Sequence, residues 1–261
     1  MNAAPLLEVR NLRVEFPTRR GTLVAIDDVS FSIAPGEVLG VVGESGAGKS
    51  LTGAAIIGLL EPPGRIAGGE ILLSGRRIDD LRAEAMRKVR GREIGAIFQD
   101  PLTSLNPLYT IGRQLVETIT LHLGLGREQA RARAIELLQA TGIPAADARI
   151  DHYPHQFSGG MRQRVVIALA LAANPKLVVA DEPTTALDVS IQAQIIALLD
   201  RLCREHGTAV MLVTHDMGVI AEVADRVAVM YAGRLAEIGP VADVIHRPQH
   251  PYTAGLMGSI P

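Results

Sequence analysis

Three glycines, a lysine and two serines lie in one short segment whose chemistry suits the binding of a dense negative charge. The segment comprises Gly43, Glu44, Ser45, Gly46, Ala47, Gly48, Lys49 and Ser50. The glycines let backbone N–H groups converge on phosphate oxygens, and a following helix would present its positive end to the same group. Lys49 can reach the outer phosphates, while the Ser50 hydroxyl can ligate Mg²⁺. The spacing predicts a Walker A phosphate loop; the alternative is a glycine-rich turn with an incidental lysine.

Two adjacent carboxylates form a second group that could do chemistry. Asp181 and Glu182 follow the apolar residues 177–180, and ligand sites in open α/β sheets gather at the carboxyl ends of strands. Asp181 can hold a metal through water, and Glu182 can polarise the water that attacks a terminal phosphate. The pattern predicts a Walker B element; two acids after a strand are also common as solvated loop charge.

Short β-branched runs between helical patterns supply the elements that would position these groups. The predicted strands are residues 7–16, 24–33, 38–42, 94–98, 177–180, 209–214 and 226–231. Residues 38–42 and 177–180 are apolar at successive positions, as in central parallel strands covered on both faces. The early runs alternate and are joined by turn-like segments at 17–21 and 34–37, which predicts an antiparallel edge. The expected fold class is α/β, a P-loop NTPase sandwich with an antiparallel β edge region.

The middle of the chain, from residue 101 to about residue 157, lacks the strand signal. Residues 111–123 and 127–141 carry an amphipathic periodicity instead, and Gly142 with Pro144 ends the second helix. This predicts an inserted α-helical lobe. The expected domains are a discontinuous core of residues 1–99 and 158–245, a helical lobe of residues 100–157, and a C-terminal tail of residues 246–261.

Composition and charge narrow the classes of function. The formal net charge is −2, the pI is about 6.4 and Trp is absent, so no nucleic acid partner is expected. The single cysteine, Cys203, excludes an intramolecular disulfide and a zinc site of several thiolates. It should be a small buried or half-buried residue of a helix at 191–205. The longest apolar run, 165–173, is too short to span a bilayer, and residues 1–8 lack secretory features.

A third segment resembles the signature motif of the ATP-binding cassette (ABC) family. Residues 157–164 are Phe-Ser-Gly-Gly-Met-Arg-Gln-Arg. In that family the serine hydroxyl and the glycine amides, at a helix N-terminus, grip the γ-phosphate of ATP held by the opposing subunit. The resemblance implies this trans contact for Ser158, Gly159, Gly160 and Met161. Taken alone, the segment is a helix N-cap at Ser158 followed by two flexible glycines.

Three other motifs match the family in the right order. Gln99 resembles the Q-loop glutamine, which touches the metal and the attacking water. Residues 186–188, Ala-Leu-Asp, resemble the D-loop that crosses the dimer interface, so Asp188 is expected to act in trans. His215 matches the switch histidine that faces the γ-phosphate. Phe16 lies where the family stacks an aromatic ring on adenine; a core phenylalanine is the alternative.

The resemblance thus implies an ATPase that uses ATP and Mg²⁺. Its implied catalytic residues are Glu182, His215 and Gln99. The implied metal ligands are Ser50, Gln99 and Asp181. The implied ATP contacts of the same subunit are Phe16, Gly43, Ser45, Gly46, Ala47, Gly48, Lys49, Ser50 and Leu51.

Two segments, residues 98–107 and the His-Pro-Tyr-Thr sequence of residues 250–253, resemble the oligopeptide, dipeptide and nickel importer branch. With a methionine at position 161, the signature motif resembles that of the first of the two ATPases in that branch. It also departs from the family, because a glutamine is common at this signature position. Leu51 replaces a second hydroxyl residue of many phosphate loops, leaving its backbone N–H for the α-phosphate. Relatives often continue past Pro261 with an iron–sulfur segment, which a chain with one cysteine cannot build.

The family resemblance implies a clamp, in which two ATP molecules lie between facing subunits and hydrolysis reopens the dimer. The implied partners are a second ATP-binding subunit, two transmembrane permease subunits and, indirectly, an extracytoplasmic solute-binding protein. A homologous heterodimer is expected, with a homodimer as the alternative. The chain would be peripheral on the cytoplasmic face of the inner membrane and would drive uptake of peptides or a related solute. Substrate and direction rest on the resemblance alone.

Two rival functions stay open at this point. One is a soluble cassette ATPase of DNA repair or translation, whose relatives usually carry two cassettes, a long coiled-coil insertion or zinc-binding cysteines. The other is a nucleotide sensor that does not drive transport. Glu182 and His215 favour hydrolysis over sensing, since both are the residue types that the family uses for turnover.

Overall fold

The structure, a computed structural model, describes residues 4–185 and 187–258. The described strands are β1 (Leu7–Thr18), β2 (Gly21–Ile33), β3 (Val38–Val42), β4 (Arg65–Leu73), β5 (Arg76–Arg77), β6 (Ile94–Ile97), β7 (Leu177–Asp181), β8 (Ala209–Val213), β9 (Arg226–Tyr231) and β10 (Arg234–Pro240). The described α-helices are α1 (Lys49–Ile56), α2 (Ala83–Val89), α3 (Pro101–Ser104), α4 (Ile111–Leu123), α5 (Arg127–Ala140), α6 (Ala146–Arg149), α7 (Gly159–Leu171), α8 (Val189–His206), α9 (Met217–Val223), α10 (Val241–His246) and α11 (Pro251–Gly258). A 3₁₀ turn occupies Pro154–Gln156.

The chain folds as two compact units. The first unit is built from the chain up to Met86 and from Ala209 onward, and the second from Arg87–Thr208. The domain boundaries expected from the sequence, with a helical lobe at 100–157 and a tail at 246–261, stay a prediction.

The first unit contains an antiparallel sheet with the strand order β2-β1-β4-β5. The predicted antiparallel edge is confirmed, but the turn predicted at 17–21 is too long. Thr18 still pairs with Gly21, which leaves only two residues to reverse the chain. Strand β4 was not predicted, because Gly68 and Gly69 interrupt its apolar pattern. At Gly69 φ is +83°, and an added Cβ would lie 2.4 Å from the carbonyl oxygen of Asn11.

The first unit also contains the strand that leads into the phosphate loop. β3 lies between β8 and β9 and runs parallel to both, while β10 pairs antiparallel with β9. Every residue of β3 and of β8 is buried. Gly40 allows close packing, because an added Cβ would lie 2.5 Å from the Cδ1 atom of Ile220. β3 is therefore a central parallel strand, as its uninterrupted apolar sequence predicted.

The second unit pairs β6 with β7 in parallel and surrounds the pair with helices. α7 packs against β6 and against α4, α5 and α8. The described residues from 100 to 157 form helices and turns and contain no strand. The helix predicted at 111–123 is confirmed as α4. The helix predicted at 127–141 ends one residue early, at Ala140, before Gly142 takes up a φ of +76°.

A helix that spans a membrane has to be both long and apolar. Most residues of α7 are buried. Within the described ranges 4–185 and 187–258, no helix is both long and apolar enough to cross a membrane.

Candidate active site

The phosphate loop follows β3 and leads into α1, whose first residue is Lys49. Gly43, Gly46 and Gly48 all have positive φ, at 146°, 82° and 101°. A Cβ on Gly43 would lie 2.2 Å from the carbonyl oxygen of Met230, and a Cβ on Gly48 would lie 2.5 Å from a side-chain carbon of Ile26. Glycine is therefore required at Gly43 for both conformation and space, and at Gly48 for conformation.

Lys49 is a buried cation inside this loop. Its side chain is folded back so that the ammonium donates to the carbonyl oxygens of Gly43, at 2.8 Å, and Glu44, at 3.0 Å. The residue is only 6% exposed. The ammonium and the N-terminus of α1 together favour an anion at the loop.

The remaining residues of the loop vary in exposure. Ser45, Gly46 and Ser50 are exposed, Leu51 is half-buried and Ala47 is buried. Ser50 sits in the first turn of α1, directly after Lys49. These positions suit contacts with a bound phosphate group, although the individual roles stay predictions.

His215 follows β8, which is the parallel neighbour of β3. The carboxyl ends of neighbouring parallel strands lie at the same end of a sheet. His215 and the phosphate loop, which follow β8 and β3, therefore lie at the same end of the sheet in the first unit. The histidine is exposed. Next to it, the Asp216 carboxylate accepts hydrogen bonds from the N–H groups of Gly218 and Val219 and caps α9, while its own N–H donates to the Thr214 hydroxyl. These bonds fix the backbone that carries His215.

In the second unit, the parallel pairing of β6 with β7 brings Gln99 to Glu182. The Gln99 amide nitrogen donates to the Glu182 carboxylate at 3.2 Å. The hydroxyl of Thr185 donates to the same carboxylate oxygen at 2.8 Å. Glu182 itself has a φ of +46°, an uncommon conformation for a side chain of this size, and such conformations cluster at functional sites. Asp181 precedes it as the half-buried last residue of β7.

The residues expected to hold Mg²⁺ are Ser50, Gln99 and Asp181. They offer a hydroxyl, an amide oxygen and a carboxylate, all hard oxygen donors of the kind that Mg²⁺ prefers. Among residues 4–185 and 187–258, no group of three or more His, Cys, Asp and Glu side chains could hold a metal ion. The chemistry of the predicted donors fits Mg²⁺ rather than a nitrogen- or sulfur-bound metal.

The signature segment forms the N-terminus of α7. Ser158 is the N-cap, and its hydroxyl accepts the Met161 N–H at 3.3 Å. Ser158 and Gly159 are exposed, whereas Gly160 is buried, and an added Cβ there would lie 3.0 Å from the side chain of Ile191. The helix therefore presents an exposed hydroxyl and an exposed glycine at its positive end, a combination that suits an anion.

Met161 is half-buried at the same helix end. Its sulfur lies 3.7 Å from a guanidinium nitrogen of Arg149 in the same unit. A thioether is a weak acceptor, so this contact does not replace the amide that the family commonly has here.

Two further predicted residues, Asp188 and Phe16, lie in exposed or half-exposed places. Asp188 is exposed at the N-cap of α8, with no hydrogen bond from its side chain to the helix end. Ala186, the first residue of the predicted D-loop, lies outside the described residues. Phe16 is half-buried, not in the core, and an added Cβ on Gly64 would lie 2.7 Å from its ring. The adenine-stacking role of Phe16 stays a prediction.

Two residues near the site were not assigned a role from the sequence. Thr185 could have been suspected, because a hydroxyl three residues after Glu182 can fold back on its carboxylate across a tight turn. Tyr252, whose hydroxyl accepts the Glu44 N–H at 3.1 Å, lies 208 positions away from that residue. No local pattern signals a contact across that separation.

Comparison with known proteins gives concordant matches. The family model described as "ABC transporter" matches residues 26–185. The oligopeptide transport ATP-binding protein OppD of Bacillus subtilis is 53% identical over 257 residues, which cover 98% of this chain and 72% of that protein. A protein of Brucella melitensis, named as a candidate peptide import ATP-binding protein, is 51% identical over 267 residues, covering 100% of this chain and 79% of that protein.

A solved structure agrees with these relatives. The dimeric ATP-binding cassette MJ0796, in a post-hydrolysis state with ADP and Pi, matches with a TM-score of 0.80 at 30% identity. The match covers 90% of this chain and 98% of that chain. The predicted α/β class of the P-loop NTPase type is thereby confirmed.

Proposed function

The chain belongs to the ABC transporter family, and from that premise we propose that it is the ATP-hydrolysing subunit of a peptide importer. The chain is an ATPase that uses ATP with Mg²⁺. The observation that supports hydrolysis, beyond nucleotide binding, is the Glu182 carboxylate held by the donors of Gln99 and Thr185. The observation that supports peptide import is the 53% identity to an oligopeptide transport protein along nearly the whole chain.

The phosphate loop binds the phosphates of ATP in this proposal. Its N–H groups, including that of Leu51, donate to phosphate oxygens, and the Lys49 ammonium moves from loop carbonyls to the outer phosphates. A phosphate oxygen carries negative charge and is therefore a stronger acceptor for that ammonium than a carbonyl oxygen. Mg²⁺, held by Ser50, Gln99 and Asp181, would offset negative charge on the phosphates when bound.

Glu182 accepts the proton of the attacking water, and Gln99 with Thr185 orients its carboxylate. A carboxylate held by two donors keeps one geometry, and this lowers the reorganisation needed in the transition state. His215 donates toward the γ-phosphate. The capped backbone around His215 supports that role, because it fixes the position from which the ring extends.

A second ATP-binding subunit completes the working unit. Ser158, Gly159 and Gly160 contact the γ-phosphate of ATP held by that subunit, and Asp188 contributes at the same interface. The exposed hydroxyl and N–H groups at the start of α7 support this proposal, because within one chain they would otherwise face solvent. The dimeric state of the cassette MJ0796 also supports it. A heterodimer is proposed, as in the peptide importer branch.

Membrane permease subunits are the proposed partners of the second unit. Several large apolar side chains there are exposed, namely those of Phe98, Leu102, Leu108, Leu121 and Tyr153. A groove of about 770 Å³ lies along α4, and among its lining residues are Thr110, Val116 and Leu121. Val116 and Leu121 share this groove with charged residues such as Arg113, Glu117 and Arg131, and exposed apolar surface bordered by polar residues is typical of a protein interaction site. The chain is therefore proposed to lie at the cytoplasmic face of the membrane.

The test of hydrolysis is phosphate release from the purified protein with Mg-ATP, alone and mixed with a candidate partner ATPase. Wild type should turn over, and Glu182→Gln should bind ATP normally but lose roughly 10²- to 10⁴-fold in kcat, the usual contribution of a general base. Lys49→Ala should instead weaken ATP binding by about tenfold or more, because charged hydrogen bonds are lost. Wild-type turnover in Glu182→Gln would remove Glu182 from this role.

Peptide import needs its own test. Uptake of a labelled tripeptide is measured in cells that carry the chain together with its permease subunits, with wild type and Glu182→Gln compared. Uptake should require wild type and stop in the variant. If ATP hydrolysis stops in the variant while peptide uptake continues, the chain is an ATPase of another process.

A further inference from the structure

The C-terminal helix α11 contacts the phosphate loop within the first unit. The N–H of Glu44 donates to the hydroxyl oxygen of Tyr252 at 3.1 Å. The carbonyl oxygen of Glu44 accepts from the Lys49 ammonium at 3.0 Å and from the Ala47 N–H at 3.1 Å. One residue of the loop is thus held at its N–H by the tail and bonded at its carbonyl to the lysine that is proposed to bind phosphate.

The tail that carries Tyr252 is itself fixed to β10. The Glu237 carboxylate accepts the N–H of Gln249 at 2.9 Å and the N–H of His250 at 3.0 Å. The imidazole Nδ1 of His250 then accepts the N–H of Tyr252 at 3.1 Å. These bonds set the start of α11, and so the direction in which the Tyr252 ring leaves it.

A second contact places the ring. Tyr231, at the end of β9, lies against Tyr252 with ring centroids 4.5 Å apart and planes tilted by 41°. The preceding residue, Met230, has the carbonyl that faces Gly43 at the start of the loop. β9 therefore contacts both the loop and the tail, which leaves the Tyr252 ring few other orientations.

We propose that Tyr252 is a positioning residue for the phosphate loop, whose hydroxyl holds Glu44 and so fixes the loop in the conformation that binds ATP. The inference rests on the proposed role of this loop in ATP binding. A loop with three glycines has many accessible conformations, so fixing one residue raises the fraction of molecules that can bind. Apparent affinity for a ligand falls in proportion to that fraction.

The test is Tyr252→Phe, which removes the hydroxyl and keeps the ring against Tyr231. Affinity for Mg-ATP is measured by calorimetry in a Glu182→Gln background, and KM and kcat are measured with Glu182 intact. Loss of one hydrogen bond predicts an ATP dissociation constant and a KM about fivefold higher. The rate at saturating ATP should stay within about twofold of wild type, because bound phosphates hold the loop themselves.

Tyr231→Phe is the matched control. It removes a hydroxyl from the adjacent ring, and that hydroxyl has no hydrogen-bond partner among residues 4–185 and 187–258. Its ATP affinity should equal that of wild type. An equal loss of affinity in both variants would overturn the role of the Tyr252 hydroxyl, since any change to the ring pair would then suffice.

A purely structural role for Tyr252 predicts a different result. The melting temperature of Tyr252→Phe would fall while its ATP affinity and KM matched wild type, and this outcome overturns the inference alone. Wild type that binds no ATP would overturn the proposed function together with it. A double-mutant cycle combines Glu237→Gln with Tyr252→Phe. The loss of ATP affinity in the double variant should be smaller than the sum of the losses in the two single variants, because both substitutions release the same tail.

Discussion

The side chain of Gln99 reaches the Glu182 carboxylate at 3.2 Å although the two residues are 83 positions apart. The parallel register of β6 and β7 explains the contact: Ile97 pairs with Ala180, so the residues that follow emerge side by side. Thr185 holds the same carboxylate oxygen from the C-terminal side. The strand pairing of one unit thus brings a donor to the carboxylate of a proposed general base.

Replacing Thr185 tests this alignment. Thr185→Val keeps the shape of the side chain but removes the hydroxyl, so kcat should fall about tenfold, the effect of one hydrogen bond to a charged group. ATP affinity should be unchanged, because the residue is proposed to act only through Glu182. Thr185→Ser should retain activity. Steady-state phosphate release and ATP titration give both quantities, and a Val variant with full kcat would show that the Thr185 hydroxyl is not needed to orient the carboxylate.

The sequence predicted best the elements whose pattern is uninterrupted. Residues 38–42 and 111–123 were predicted with the bounds that the structure has, because one is an unbroken apolar run and the other an unbroken helical period. β4 and β10 were missed. Gly68 and Gly69 break the alternation of the first, and Gly239 with Pro240 ends the second in residues that are depleted in strands.

Site residues were predictable where strand order alone brings them together. Gln99 and Glu182 each follow a strand, and so do His215 and the phosphate loop, so a parallel sheet places each pair at one edge. Tyr252 could not be found in this way. Its position depends on the Glu237 carboxylate and the Tyr231 ring, which no periodicity in the sequence connects.

Substitutions at two glycines of the phosphate loop can separate the cost of an unfavourable backbone conformation from the cost of a steric clash. Gly46 has open space at its Cβ position, so Gly46→Ala should cost only the strain of positive φ, about 1–2 kcal/mol in the free energy of unfolding. Gly43→Ala should cost markedly more, because the new Cβ would lie 2.2 Å from the carbonyl oxygen of Met230, which cannot move without a shift of the backbone. Urea denaturation of both variants checks this. An equal loss in the free energy of unfolding for the two variants would show that the backbone around Met230 shifts to accommodate the new Cβ.

Cys203 should be chemically inert in the folded protein. Burial, with a smaller contribution from the Asp200 carboxylate, raises the pKa of its thiol to about 12, and the reactive species is the thiolate. An Ellman-type reagent at about pH 8 should therefore react negligibly with native protein and with one thiol per chain after unfolding in guanidinium. Rapid reaction of the native protein would mean that α8 opens readily in solution.

Stability should depend on acid pH through Glu237. Burial alone would raise the pKa of its carboxyl, but the N–H donors of Gln249 and His250 outweigh it and hold the pKa below the ordinary value of 4.5. A lowered pKa in the folded state stabilises the fold above the unfolded-state pKa, and this contribution is lost as the pH falls through the folded-state pKa. The melting temperature of wild type should therefore fall more steeply than that of Glu237→Gln below about pH 4.5, since the amide does not titrate. Parallel profiles for the two proteins over this range would show that the tail is held by other contacts, such as that of the Tyr252 ring with Tyr231.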